Sequence, residues 1–300
     1  MLAEFEEKQY EHYMNFELLC KHNILNLFPP GQHLEHYLGF DVALYSCNHK
    51  FWKYFKDLWR WYNYYYYRIF NKFPYIKPED VRFFEELLGK YLNYIPKIKF
   101  NLFIQYKRPE YLTSNRSKEW IYWKKPYYRY HIINHQQQLL KNLALNIDRH
   151  SALVIYASPA FHTQKQLWEN VQRKTIIDNS NYCKVTDLSG HMKYTYINGG
   201  KYGIALSEPE KIENLNFEKS IGNFKEESRY ENNIYTVINL ANQVENSIEK
   251  SSYSEYYKYY LMILKNKFFW EFRYKYRIFY SFIKLSLFEQ ITGVRIFYGF

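Results

Sequence analysis

Residues 101–109, NLFIQYKRP, decide how this chain is read. The run alternates with period two, so a strand carries Leu102, Ile104 and Tyr106 on one side and Phe103, Gln105 and Lys107 on the other. Gln105 and Lys107 therefore project together. Pro109 ends the strand. Upstream, residues 38–45 read LGFDVALY, in which Asp41 shares a strand face with Ala43 and Tyr45 and lies opposite Phe40, Val42 and Leu44. An acid on one strand and an amide with an amine on the next are the parts of one polar site.

Working outward, residues 48–97, with HKFWKYFKDLWRWYNYYYYRIF at 49–70, read as a strongly aromatic helical hairpin inserted between the two strands. Pro78, Glu79 and Asp80 are a proline-led, acidic start for its second helix, which runs to about residue 94. The Lys, Arg, Trp and Tyr residues suit single-stranded nucleic acid. Packing of the insertion around a small core of its own is the more frequent use of such residues. After Pro109 comes an aromatic, basic loop containing Trp120, Trp123 and KKPYYRYH.

Asn134 is placed to cap a helix whose apolar stripe is Leu139, Leu140, Leu143 and Ile147, with Gln136 one turn earlier on the same side. Residues 152–157, ALVIYA, are a continuous apolar run, the pattern of a strand buried on both faces. Before the motif strands, residues 2–27 read as a helix stopped by FPPG at 28–31. One inward stripe would carry Glu7, Glu11, Met14, Leu18 and Leu25, and a rival stripe Tyr10, Tyr13, Met14, Glu17 and Ile24. Beyond 160, the pattern gives a helix at 164–173 and hairpin-like pieces turning at Gly199 and Gly200. Residues 226–300 read as helical throughout.

The chain of 300 residues carries 41 Lys and Arg against 30 Asp and Glu, a formal charge of +11, and is 22% aromatic. That balance fits a polyanionic partner, although heavy Lys, Tyr, Asn, Ile and Phe usage also follows from AT-biased coding alone. Cys20, Cys47 and Cys183 stand far apart without CxxC spacing, which argues against a zinc ribbon or a disulfide framework. The opening MLAEFEEKQYEHY is acidic, unlike a signal peptide, and no run of about 18 apolar residues suggests a membrane span. A cytoplasmic protein is expected. His162 and His191 are lone histidines, and Cys183 lacks the partners of a thiol nucleophile.

The element order, helix, strand with Asp41, strand with Gln105 and Lys107, helix with Gln136, apolar strand, resembles the PD-(D/E)XK nuclease superfamily over residues 4–160. It is closest to the Mrr-like branch, in which G-x-D followed by Q-x-K replaces P-D followed by E-x-K. The resemblance implies an α/β fold: a restriction-endonuclease-like αβββαβ core with a mixed sheet at 1–160, a helical insertion at about 48–98, an α+β extension at 161–225 and a helical C-terminal region at 226–300. It implies metal-dependent cleavage of DNA, in a prokaryotic restriction or phage-defence setting, with Mg²⁺ or Mn²⁺ held by Asp41, Gln105, the carbonyl of Tyr106 and Glu35. Lys107 would orient water or stabilise developing charge, Glu11 would complete the acids ahead of Glu7 and Glu17, and Gln136 would point at metal or substrate. Trp123, Lys124, Lys125 and Arg129 are the candidate substrate contacts. A second copy of the chain or a defence-system protein is the expected protein partner. The rival readings are a non-catalytic nucleic-acid-binding or assembly module with a degenerate nuclease fold, and an RNA-cleaving toxin.

Overall fold

The computed structural model describes residues 1–22, 24–26, 78–147, 151–198, 200–224, 232–255, 257–258 and 274–300. Among the described residues the chain is mixed α/β with two five-stranded sheets. The strand at 38–45, most of the helical insertion and the FPPG turn lie outside the described residues.

The first sheet is built around β2 (Phe100–Tyr106), every residue of which is buried. β2 pairs in parallel with β5 (Ala152–Pro159), with Gln105 opposite Tyr156, and β6 (Ser180–Lys184) extends the sheet beyond β5. On its other edge β2 pairs antiparallel with β10 (Arg295–Gly299), which in turn pairs with β1 (Ile24–Leu25). The sheet is therefore mixed. A parallel pair needs a long connection, and here it contains α4 (Asn134–Asn146).

The alternation read in the sequence divides two cores. Leu102, Ile104 and Tyr106 pack with Tyr10, Met14 and Leu18 of α1 (Glu7–Lys21). Phe103 faces the other way, with Leu139, Leu140 and Leu143 of α4, together with α7 (Asn233–Glu249) and α8 (Arg277–Thr292). Each such fully buried side chain contributes about 1.5–3 kcal/mol over exposure, so the strand is held from both faces.

The second sheet is an antiparallel run of β3 (Glu110–Leu112), β4 (Tyr127–His131), β7 (Lys193–Tyr196), β8 (Tyr202–Leu206) and β9 (Glu210–Glu213). Its cross-strand pairs Tyr128–Tyr196 and Tyr130–Tyr194 place rings 5.5 Å apart, and these tyrosines join Tyr156 of β5 in the main core. Part of the tyrosine content is thus structural. Gly203 is required here, since a Cβ would lie 2.2 Å from the Tyr194 ring and 2.7 Å from the Thr195 carbonyl.

Several expectations are corrected. The first helix is shorter than 2–27, because residues 1–3 instead run alongside 109–111, with Leu2 bridging Glu110. Both stripes are buried in part: Tyr10, Glu11, Met14, Glu17 and Leu18 all face inward. The residues after Pro109 form a hairpin, β3 and β4 joined by the one-turn helix α3 (Trp120–Trp123), rather than a loop. Asn134 is the first residue of α4, one position past its cap. Helix α2 (Pro78–Tyr94) buries Val81, Leu88 and Leu92 in the main core, where Phe84 stacks on Phe279, so this helix does not pack around a core of its own.

Residues 226–300 depart furthest from the sequence expectation. They are not helical throughout, because Gly293 adopts φ +72° and ends α8, after which RIFYG becomes β10 in the interior of the first sheet. Helix α5 (Gln164–Arg173) and the β7–β8 hairpin follow the sequence reading.

Candidate functional site

The polar cluster forms where β2 ends. Gln105 and Lys107 point from the strand to the side covered by α4, whose first turn supplies Gln136. Lys107 Nζ donates to Gln136 Oε1 at 2.7 Å, and Gln136 Nε2 donates to Gln105 Oε1 at 2.8 Å and to the Thr292 carbonyl at 3.2 Å. These partners fix the amide orientation of Gln136, whose oxygen must face the ammonium and whose nitrogen must face two carbonyl oxygens. Gln105 Nε2 closes the set on the Tyr106 carbonyl at 3.1 Å. All three side chains are buried.

Glu7 approaches from the opposite face. Its carboxylate accepts from the Arg108 amide at 3.3 Å, at the start of α1 and the end of β2. Burial pushes the Lys107 amine down to about 8, with the Glu7 charge opposing, and Lys107 lies 5.4 Å from the centre of the Tyr156 ring. Burial also raises the Glu7 carboxyl, against the pull of Lys107 and the Arg108 amide. Cation and acid each carry a desolvation cost, so the pair is poised closer to neutrality than surface groups would be.

Glu11 is differently employed. It accepts from Lys8 at 2.7 Å and from Arg295 Nε. Arg295 also reaches Glu289 at 3.4 Å, and Glu289 accepts from the Ile296 amide. Burial pushes Glu289 up to about 7, Arg295 opposing. Glu11, Arg295 and Glu289 thus tie α1, α8 and β10 together. Glu17 is also committed, since it accepts from the amides of Ile176 and Ile177 at 2.9 and 3.2 Å. Of the three first-helix acids, Glu7 is the one whose charge acts on Lys107. The sequence reading missed Arg295, Glu289 and the Thr292 carbonyl, for which neither spacing nor residue type carried a signal.

The remaining candidates separate. Asp41 and Glu35 lie outside the described residues. Trp123 is buried, donates to Thr195 Oγ1 at 3.1 Å and stacks on Tyr202. Arg129 is held by Glu110 at 2.9 Å and by Glu119 at 3.0 Å. Lys124 and Lys125 are exposed. His162 stacks on Tyr111 with ring centres 3.9 Å apart, His191 lies 3.1 Å from Glu210, and burial pushes the Cys183 thiol up, which makes it a poor nucleophile.

Among the described residues no three His, Cys, Asp or Glu side chains converge in a group that would hold a metal ion. The donors near Lys107 are nevertheless all oxygens, the type a hard divalent cation takes, and Gln105 Oε1 keeps a second lone pair beside the one used by Gln136. No helix among the described residues is long and apolar enough to cross a membrane. Comparison with protein-family models, curated proteins and solved structures returns no match to this chain.

Proposed function

We propose that the chain is a phosphodiester-cleaving enzyme acting on DNA, with a restriction-endonuclease-like core and an active centre of which Glu7, Gln105, Lys107 and Gln136 are the described part. The observation that carries this reading is the buried amine of Lys107, hydrogen-bonded to Gln136 and within the electrostatic reach of Glu7, just past the carboxyl end of a parallel strand. Carboxyl ends of parallel strands are where α/β sheets bind ligands. The order of α1, β2, α4 and β5, with α1 on one face and α4 on the other, supports the same reading.

Lys107 as the ammonium stabilises negative charge gathering on the scissile phosphate, in a place where burial strengthens the interaction. Gln136 holds that amine in position and keeps Gln105 turned toward it. Glu7 is the carboxylate available to accept a proton from the attacking water or to ligate a cation. Mg²⁺ or Mn²⁺ bound here would neutralise phosphate charge and acidify water, with Glu7, Gln105 and the Tyr106 carbonyl as described donors and Asp41 and Glu35 as further ones. A role in prokaryotic restriction or phage defence, in the cytoplasm, belongs to the same proposal.

The test is plasmid DNA cleavage with Mg²⁺ or Mn²⁺ by the wild type, Lys107→Ala and Asp41→Asn. Cutting by the wild type alone is expected. Equal cutting by both variants would remove the site, tight binding without cutting under either metal would favour the non-catalytic module, and selective cutting of structured RNA would favour the toxin.

A further inference from the structure

We infer that the tip of the β3–β4 hairpin is a wedge that enters duplex DNA, pressing Ile121 and Tyr122 against a base step while Arg116, Lys118, Lys124 and Lys125 hold the flanking phosphates. The inference rests on DNA as the partner proposed above, and it concerns a different surface from the Lys107 cluster.

The tip, residues 113–126, carries four basic residues and one acid, Glu119. Arg116, Lys118, Lys124 and Lys125 are all exposed. Glu119 is buried and offsets none of them at the surface, because it accepts from Tyr127 at 2.9 Å and Arg129 at 3.0 Å and lies 3.8 Å from Lys193. Burial would raise its carboxyl, but Tyr127, Arg129 and Lys193 together hold it below the usual range, so it is spent as an internal anchor. The outward charge of the tip is therefore one-signed.

The apolar part is as unusual as the charge. Ile121 is 69% exposed and Tyr122 is 42% exposed, side by side on α3, although a large core lies elsewhere in the chain for such residues. The basic positions bracket them, Arg116 and Lys118 before and Lys124 and Lys125 after. Apolar side chains between cations are how minor-groove proteins unstack a base step while holding the backbone on both sides.

The tip is also pre-shaped. Successive backbone hydrogen bonds fold it: Ser117 to the Ser114 carbonyl at 3.1 Å, Trp120 to Ser117 at 3.0 Å, Tyr122 to Glu119 at 3.2 Å and Lys124 to Trp120 at 2.8 Å. Trp123 pins it to the sheet through Thr195 and its stack on Tyr202, with Lys211 over the Tyr202 ring at 3.9 Å. A wedge must push against a rigid support, and an already ordered element loses little entropy on binding.

The experiment uses the full chain in EDTA, so that binding is read without cleavage, on a duplex of about 30 base pairs with a central TA step and a donor–acceptor pair at its ends. Wild type should bind and shorten the end-to-end distance. Lys124→Ala/Lys125→Ala should bind more weakly and lower the slope of log K against log salt by about 1.8, two phosphate contacts at about 0.9 each. Ile121→Ser/Tyr122→Ser, checked for wild-type near-ultraviolet circular dichroism, should keep the salt slope and lose the bend. Undiminished bending by the serine variant would overturn the wedge, as would an unchanged slope in the lysine variant, or wild-type binding to phosphatidylserine vesicles but not to DNA. Bending by a wild type that cuts nothing with Mg²⁺ would sustain the wedge and sink the nuclease reading. Cutting without bending would do the reverse.

Discussion

Lys107, just past the end of β2, and Gln136, in the first turn of α4, meet in a 2.7 Å hydrogen bond between an ammonium and an amide oxygen. The bond is buried, and the same amide is held on its nitrogen side by Gln105 and Thr292. Three elements, β2, α4 and the end of α8, thereby agree on where one amine sits. That agreement is the basis for treating Lys107 as a positioned group rather than a strand-edge lysine.

Replacing Gln136 by Leu should leave the lysine in place but unsteered. DNA cleavage is expected to fall about 10-fold or more in Gln136→Leu and about 100-fold or more in Lys107→Ala, the range for loss of a charge-stabilising donor. Initial rates on supercoiled plasmid measure both. Activity of Gln136→Leu at the wild-type level would mean that the amide only fills space.

Glu7 and Glu11 should fail in different ways. Glu7→Gln is expected to lose cleavage with little change in the urea midpoint, since its one hydrogen bond is to the Arg108 amide and its charge acts on Lys107. Glu11→Gln should keep cleavage in the folded fraction but lose about 1–3 kcal/mol of stability, because Arg295 and Lys8 then share a neutral partner. The pair of variants, each assayed for both properties, separates the site carboxylate from the anchoring one.

Two buried groups give the stability profile opposite slopes. The folded-state pKa of Lys107 lies near 8, below its ordinary 10.5, so the unfolded chain binds more protons between those values and stability rises with pH from about 8 to about 10.5. Glu289 lies near 7, above its ordinary 4.5, so the folded chain binds more protons and stability falls as pH rises from about 4.5 to about 7. Each limb amounts to at most about 3 kcal/mol. Urea titrations across pH should show the alkaline limb shrink in Lys107→Met and the acid limb shrink in Glu289→Gln. Because the ammonium is the working form, kcat/KM should decline as pH passes about 8.

Gly203→Ala should cost about 1–3 kcal/mol, since the new methyl meets the Tyr194 ring and the Thr195 carbonyl on the neighbouring strand. Thermal unfolding reads it directly. Wild-type stability in this variant would show that the Tyr194 ring is free to move.

Much of this architecture is legible in residues 101–157, where alternation and an apolar run mark two buried strands and a leucine stripe marks the helix between them. The same stripe carried Gln136 to the side of Gln105 and Lys107. What escaped the sequence depends on distant partners. RIFYG looks like the end of an aromatic helix until Gly293 is known to stop it, and Arg295 meets Glu11 only because β10 enters the sheet. Trp123 and Arg129 read as substrate contacts because composition marks an aromatic, basic stretch without saying which members turn inward. Burial assigns Trp123 to the support and leaves Ile121 and Tyr122 outside.

The place of β10 also bears on how the molecule assembles. Ile104 pairs with Arg295 across 295 − 104 = 191 positions, so one edge of β2 stays open until a very long loop closes. Thr292 and Arg295 arrive with that closure. The amide that steers Lys107 is therefore completed late, and a folding intermediate is expected to be both catalytically silent and prone to pair its bare strand edge with another chain.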